Sequence, residues 1–460
     1  MARLAILRLR SIAVGTRMFR SFGVSPISFS DPIPTSVDVL IIGGGVIGIT
    51  TARDLTKRGL SVLVCDKGRI AGEQSSRNWG WVRSMGRDPD EVPIAMAANI
   101  AWQELQHELG DGIGFRPAGI AALARTAAEM AEFQDWTDNV AAQHGLDTRM
   151  LSAEAACAMV GAKSGRWLGG MYTPSDGRAE PFTAVNTIAT SIHGAGCFIR
   201  ENCAVRVVET EGGRVSRVVT EAGTVKVNAV LCAAGAWSSL FLSNMGVRLP
   251  QLAVKGTVAR TVPVDSFFEG AGSFGDVCIR RREDGGYTVA TGFCQHYIGA
   301  NSFRFLREFI PSLPSASELS LAVGSDATQR GFFPRRWGPN AISPFEKLRI
   351  NDPAASSRAL SEFRQRLIAN IPQLADVEFA EVWAGMIDAT PDVVPVMDSL
   401  SSIPGMYVAT GFSGHGFGIG PAAGKIMASL IVGEDVIFDL SRFRFSRFSD
   451  GSKLRAGPGI

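Results

Sequence analysis

No stretch of this 460-residue chain strings together the roughly 20 apolar residues that cross a bilayer as a helix. Neither sign of charge dominates. The 46 basic and 44 acidic residues leave a formal net charge of +2, which argues against the basic footprint of a nucleic-acid binder. The seven cysteines (65, 157, 197, 203, 232, 278 and 294) are odd in number and form no CxxC pair. That argues against a disulfide framework or a zinc ribbon and fits a reducing compartment. No cluster has metal-ligand spacing, no Ser/His/Asp order suggests a nucleophilic triad, and no segment repeats.

The N-terminus lacks acids. Arg3, Arg8, Arg10, Arg17 and Arg20 all precede the first one, Asp31. Such a start resembles a mitochondrial transit segment and has no apolar core of a secretory signal. The plainer expectation is an upstream start site, with Met18 as the working start. Residues 1–35 are therefore set aside as a disordered or targeting segment. The expected location is the cytoplasm, with contact at an inner-membrane surface left open, or the mitochondrion in a eukaryote.

What is present is a globular composition, 46% hydrophobic and 20% charged, with 51 glycines. Residues 37–42 read as a buried strand, 46–58 as a helix stopped by Gly59, and 61–65 as a second strand: a βαβ unit. Helical patterns follow at 102–110, 127–145 and 181–194, with a strand expected within 115–124. Three short strands at 204–209, 215–220 and 224–232, joined by "EGG" and "EAG", form a meander. Residues 253–262, 277–282 and 287–291 suggest a second, antiparallel sheet. Residues 356–370 form an amphipathic helix. Near the end come a strand at 406–410, a loop "GFSGHGFGIG", and a helix expected from Pro421 to Val432.

Within the βαβ unit, Gly43-x-Gly45-x-x-Gly48 has the spacing of a dinucleotide fingerprint. Gly43 allows the tight turn, Gly45 lets a pyrophosphate approach, and Gly48 lets helix and sheet pack closely. The helix N-terminus offers free N–H groups and a positive dipole end. Asp66 follows at the distance expected of an acceptor for a ribose hydroxyl.

Further motifs decide between nucleotides. "KGRIAGEQSSR" and "RNWGW" follow the second strand, "LCAAGAWS" follows the meander, and "WAGMIDATPDVVPVM", "ATGFSGHGFGIGPAAGKI" and "SPFEK" lie in the C-terminal part. In order and content this set resembles the glycine/D-amino-acid oxidase superfamily of FAD enzymes. Within it, the set is most similar to bacterial membrane-associated L-amino acid deaminases. The resemblance implies an α/β fold: a Rossmann-like FAD-binding domain of the glutathione-reductase type with an inserted antiparallel-sheet substrate domain. The FAD part is expected at 36–112, 150–245 and 380–440, the substrate part at 113–149 and 246–379, and a tail at 441–460.

The resemblance also implies roles. Gly43, Gly45, Gly48, Val46 and Ile47 would hold the pyrophosphate, and Asp66 with Lys67 the adenosine ribose. Ser75, Ser76 and Arg77 would lie along the pyrophosphate and ribityl chain, with Asn78 and Trp81 near the flavin ring. Val205 would meet adenine through its backbone, and Ala234, Gly235, Trp237 and Gly385 would border the pocket. Gly411, Phe412, Ser413, Gly414 and Gly416 would aim backbone N–H groups at the charge on a reduced flavin, helped by a helix dipole and by His415. Residues 72–83 contain neither histidine nor cysteine, so the flavin is expected to be held without a covalent bond.

The implied chemistry is oxidation of a C–N bond by hydride transfer to FAD, giving an imine that hydrolyses to an oxo acid, with oxygen or a quinone as acceptor. An amino-acid substrate needs a carboxylate clamp, and arginine fits it bidentately. In the hairpin "VCIRRREDGGYTVAT", Arg280 and Arg282 share a face and Arg281 opposes them. Arg280 matches the place of the deaminases' carboxylate arginine. The deaminases carry glutamine where Trp81 stands, which points to a different substrate. Two alternatives stay open: oxidation of a secondary amine such as an N-methyl amino acid or hydroxyproline, and service as an electron-transfer subunit in a complex.

Overall fold

The computed structural model describes residues 28–311, 319–323 and 333–457. Most of the Arg-rich N-terminal segment, Met18 included, lies outside the described residues. Two large sheets organise the chain. The first has the order Val396–Ser399, Met406–Thr410, Gly223–Cys232, Ser36–Ile42, Val62–Cys65, Phe198–Arg200. Its central pairings are parallel. The meander strands Val205–Glu211 and Arg214–Thr220 extend from Gly223–Cys232. A central strand covered on both faces reads as an unbroken apolar run, and Val39–Ile42 is buried throughout.

The second sheet has nine strands and is mostly antiparallel. Its long members are Leu252–Thr261, Tyr287–Tyr297 and Phe379–Ala389. This is the α/β architecture with an antiparallel second part that the sequence motifs imply. The boundaries differ in detail. Gly169–Thr173 and most of Arg149–Ser152 and Phe379–Ala389 fall on the nucleotide side of the sequence boundaries, yet they pair in the second sheet. Cross-strand pairing decides this, and its partners are distant in sequence.

Two further differences bear on the site. The C-terminal helix begins at Gly416, not at Pro421, and runs to Val432 with Pro421 inside it. Its glycines let it lie directly on the first helix, Val46–Lys57. A Cβ at Gly420 would stand 2.6 Å from Val46, and one at Gly424 would collide with Thr50. The Thr50 hydroxyl donates to the Gly420 carbonyl across this contact at 2.9 Å. The second difference is at the N-terminus, where residues 28–31 pack on the body. The Ser28 and Phe29 N–H groups donate to Glu201 at 2.7 and 3.3 Å, Phe29 is buried, and Asp31 accepts from the Ile199 N–H at 2.9 Å. Among the described residues, no helix is long and apolar enough to cross a membrane.

Candidate functional site

One elongated cavity runs between the sheets. The glycine turn of the βαβ unit and the N-terminus of the C-terminal helix both line it. Two helix N-termini, at Val46 and Gly416, therefore border the same space. Each carries N–H groups with no partner inside the helix and a partial positive charge, a setting that suits anions. The turn is shaped for close approach. Gly43 has φ +108°, and a Cβ there would come within 2.5 Å of the Ala233 carbonyl. A Cβ on Gly48 would collide with the Gly43 carbonyl, so Gly48 serves helix–strand packing. Gly45 has ordinary φ, and a Cβ added there would meet only Ser75 Oγ, at 3.1 Å; beyond that it faces the open cavity.

Of the residues expected at the cofactor, Gly43, Gly45, Val46, Ile47, Asp66, Lys67, Ser75, Arg77, Asn78, Trp81, Val205, Ala234, Gly235, Trp237, Gly385, Phe412, Ser413, Gly414, His415 and Gly416 all line this cavity. Gly48, Ser76 and Gly411 stand behind it. The Ser76 hydroxyl donates to the Glu73 carbonyl at 3.3 Å, and the Gly411 N–H to Asp388 Oδ2 at 2.7 Å. Asp66 accepts from the N–H groups of Gly44 (2.8 Å) and Gly68 (2.7 Å), and burial raises its pKa against those bonds. Ser75 Oγ accepts from the Val46 N–H at 2.9 Å. Gly411, Ser413 and Gly414 all have positive φ, which turns the loop sharply into the helix start.

Arg280 departs from its expected role. Its phase in the hairpin is as read, but it is 1% exposed and does not line the cavity. Its Nη1 and Nη2 donate to the Glu180 carboxylate at 2.7 and 3.3 Å, its Nε to the Trp79 carbonyl at 2.6 Å, and Nη2 also to Thr288 at 3.1 Å. A guanidinium so fully engaged is a structural tie, not a clamp for a substrate.

Sequence reasoning missed four contributors. Glu73 accepts from Trp237 Nε1 (3.0 Å) and Lys67 Nζ (2.7 Å). Asp388 accepts from Gln251 (3.0 Å) and Thr410 (3.2 Å) besides Gly411, and fastens the C-terminal loop. Arg83 and Arg87 line the cavity beside Trp81. The Arg83 guanidinium lies 5.5 Å from the Trp81 ring, and Trp79 meets Trp81 edge-on at 5.3 Å. The only sequence signal for these arginines is their spacing in "WVRSMGRD", which has no period to read.

His415 sits at the helix N-cap, buried, with Nδ1 3.2 Å from Glu91 Oε2 and no aligned hydrogen bond at either ring nitrogen. Burial, then the Arg87 charge, push its pKa down to about 4. The unfolded imidazole titrates near 6.5, so the unfolded chain binds the extra proton between these values. The stability that follows from a neutral His415 is full above about pH 6.5 and is lost as pH falls towards 4. His415→Gln should flatten that limb of the denaturation midpoint against pH, relative to wild type. The comparison must be between the two proteins, because burial raises Asp176 to about 6, where it titrates with the opposite sign. Identical curves for the two proteins would show that His415 is solvated.

The sequence profile of the FAD dependent oxidoreductase family (DAO) matches residues 38–430. The solved L-amino acid deaminase of Proteus myxofaciens, in complex with anthranilate, superposes with a TM-score of 0.88 at 30% identity, covering 94% of this chain and 97% of that one. Glycine oxidase of Pseudomonas aeruginosa is 24% identical over 409 residues, covering 87% of this chain and 96% of that protein. The 4-methylaminobutanoate oxidase (formaldehyde-forming) of Paenarthrobacter nicotinovorans is 26% identical over 424 residues, 91% of this chain, which spans 46% of that longer protein.

Proposed function

This chain belongs to the DAO family of FAD-dependent oxidoreductases, and from that premise we propose that it binds FAD without a covalent bond and oxidises the C–N bond of an amino acid or a closely related amine. The observation that carries this reading is the lining of the cavity, which brings together a glycine turn shaped for a pyrophosphate, the aromatic side chains of Trp79, Trp81 and Phe417, and a second helix N-terminus. The residues fit the group. Gly45 leaves space that a Cβ would fill, both helix N-termini favour anionic groups, and Val205 lies near Asp66 to take the adenine end. Residues 72–83 supply no histidine or cysteine for attachment.

Bound FAD would supply the acceptor for the hydride leaving the substrate carbon. The chain does the rest. The loop 411–416 and the C-terminal helix would help hold the flavin, and their N–H groups and dipole would favour negative charge on it. Trp79, Trp81 and Phe417 wall off water and favour the neutral amine over the ammonium form. Loss of the hydride and of the amine proton leaves an imine, and water converts it to an oxo acid and an amine or ammonia.

Incubation with D-, L- and N-methyl amino acids, with oxygen or a quinone analogue as acceptor, tests this reading. The expected result is one substrate class that yields carbonyl product in step with acceptor reduction. An N-methyl amino acid as the best substrate would select the secondary-amine alternative. No product from any of them with either acceptor would overturn the reading.

A further inference from the structure

Arg87 is 4% exposed, yet its Nε and Nη1 have no hydrogen-bond partner. Other buried arginines among the described residues hold carboxylates. Arg280 holds Glu180, Arg447 holds Asp392 at 2.9 Å, and Arg77 holds Asp352 at 2.6 Å. Arg87 lines the cavity. So does Arg83, whose Nη1 donates to the Met85 carbonyl at 3.0 Å. A buried guanidinium without an acceptor is costly. Burial also lowers the Arg87 pKa, to about 9, with Arg83 repelling it further. The charges of Glu91 and Asp176 offset this only in part, and neither acid takes a hydrogen bond from its Nε or Nη1. Asp176 is spent on the Ser84 N–H (2.7 Å), the Met85 N–H (3.0 Å) and Asn99 (3.2 Å), which fixes the loop carrying both arginines. Glu91 faces His415 and keeps Oε1 unpaired.

We propose that Arg87, with Arg83 as a second guanidinium, receives the substrate's carboxylate, so that the enzyme acts on amino acids as their carboxylate anions and not on simple amines. This inference rests on the proposed C–N oxidation and specifies its substrate class. Two guanidiniums held on a fixed loop present several N–H donors to one carboxylate, and the bound anion supplies what Arg87 lacks. Trp79 and Trp81, which meet edge-on at 5.3 Å, line the same cavity and offer apolar surface to the rest of the substrate. The clamp thus lies on the loop after Trp81, not on the hairpin that carries Arg280.

The test uses the holoprotein and benzoate, a carboxylate with no oxidisable C–N bond, followed by flavin absorbance and calorimetry. Steady-state kinetics then compare the best amino acid with the amine left by its decarboxylation. Arg87→Met should weaken benzoate and raise KM for the amino acid by roughly 30- to several-thousand-fold, the range for truncating one partner of a buried charged pair, with a smaller change in kcat. Arg87→Lys should recover part of the loss. The amine should be a poor wild-type substrate and lose nothing further in the variants. Wild-type benzoate affinity and KM in Arg87→Met would overturn the proposal, as would an amine oxidised as well as its parent amino acid. If Arg87→Met fails to fold, Arg87→Lys and the acid–amine comparison still decide. If no substrate is turned over, the activity reading fails separately, and benzoate binding still judges Arg87.

Discussion

Arg280→Ala should lower the protein's stability by about 3–5 kcal/mol, the usual cost of removing one partner of a buried ion pair. The substitution leaves the Glu180 carboxylate, 8% exposed, without its bidentate partner. It also frees the Trp79 carbonyl and Thr288. The hairpin Val277–Arg281 and Tyr287–Tyr297 would lose its tie to Trp79 and keep the one from Trp81 Nε1 to the Ile279 carbonyl. The denaturant midpoint should fall with little change in slope. Activity should fall with the amount of folded protein and not through KM. The double variant Arg280→Met/Glu180→Gln should regain most of the stability, since apolar or neutral replacement of both partners is often close to neutral. A normal midpoint with a KM raised manyfold would return Arg280 to the role of substrate clamp.

Gly45→Val should fold and purify colourless. The backbone tolerates a side chain there, with φ −75° and Ser75 Oγ as the sole neighbour of a Cβ. The branched side chain would instead occupy the cavity at the helix N-terminus, where a pyrophosphate must approach. Gly48→Val is the contrasting case, because a Cβ there meets the Gly43 carbonyl and the fold itself should suffer. Visible absorbance per protein, read beside far-ultraviolet circular dichroism, separates the two effects. A yellow, fully loaded Gly45→Val protein would place the pyrophosphate elsewhere.

The parts legible in the sequence are those written locally. The βαβ unit, the glycine spacing and the strand Met406–Thr410 follow from periodicity and turn chemistry over a few residues. The C-terminal helix start was hidden because Gly416, Gly418, Gly420 and Pro421 all read as loop. Packing against Val46 and Thr50, some 370 residues earlier, overrides that propensity and requires the glycines. Arg280 was placed on the right face of its strand, but its partner Glu180 lies 100 residues away. Phase alone cannot tell a buried face that meets a carboxylate from one that meets a ligand. Arg87 lies on an irregular loop, where no period distinguishes an unsatisfied donor from a solvated one.

The proposed function requires the cavity to bring FAD and an amino-acid carboxylate together for oxidation at carbon. Anaerobic mixing of the purified holoprotein with each amino acid of the panel tests it without regard to the natural acceptor. The visible flavin absorbance should bleach with at least one amino acid and release one carbonyl product per flavin. It should stay unchanged with that amino acid's decarboxylated amine. Bleaching by the amine alone, or by nothing in the panel, would contradict the claim.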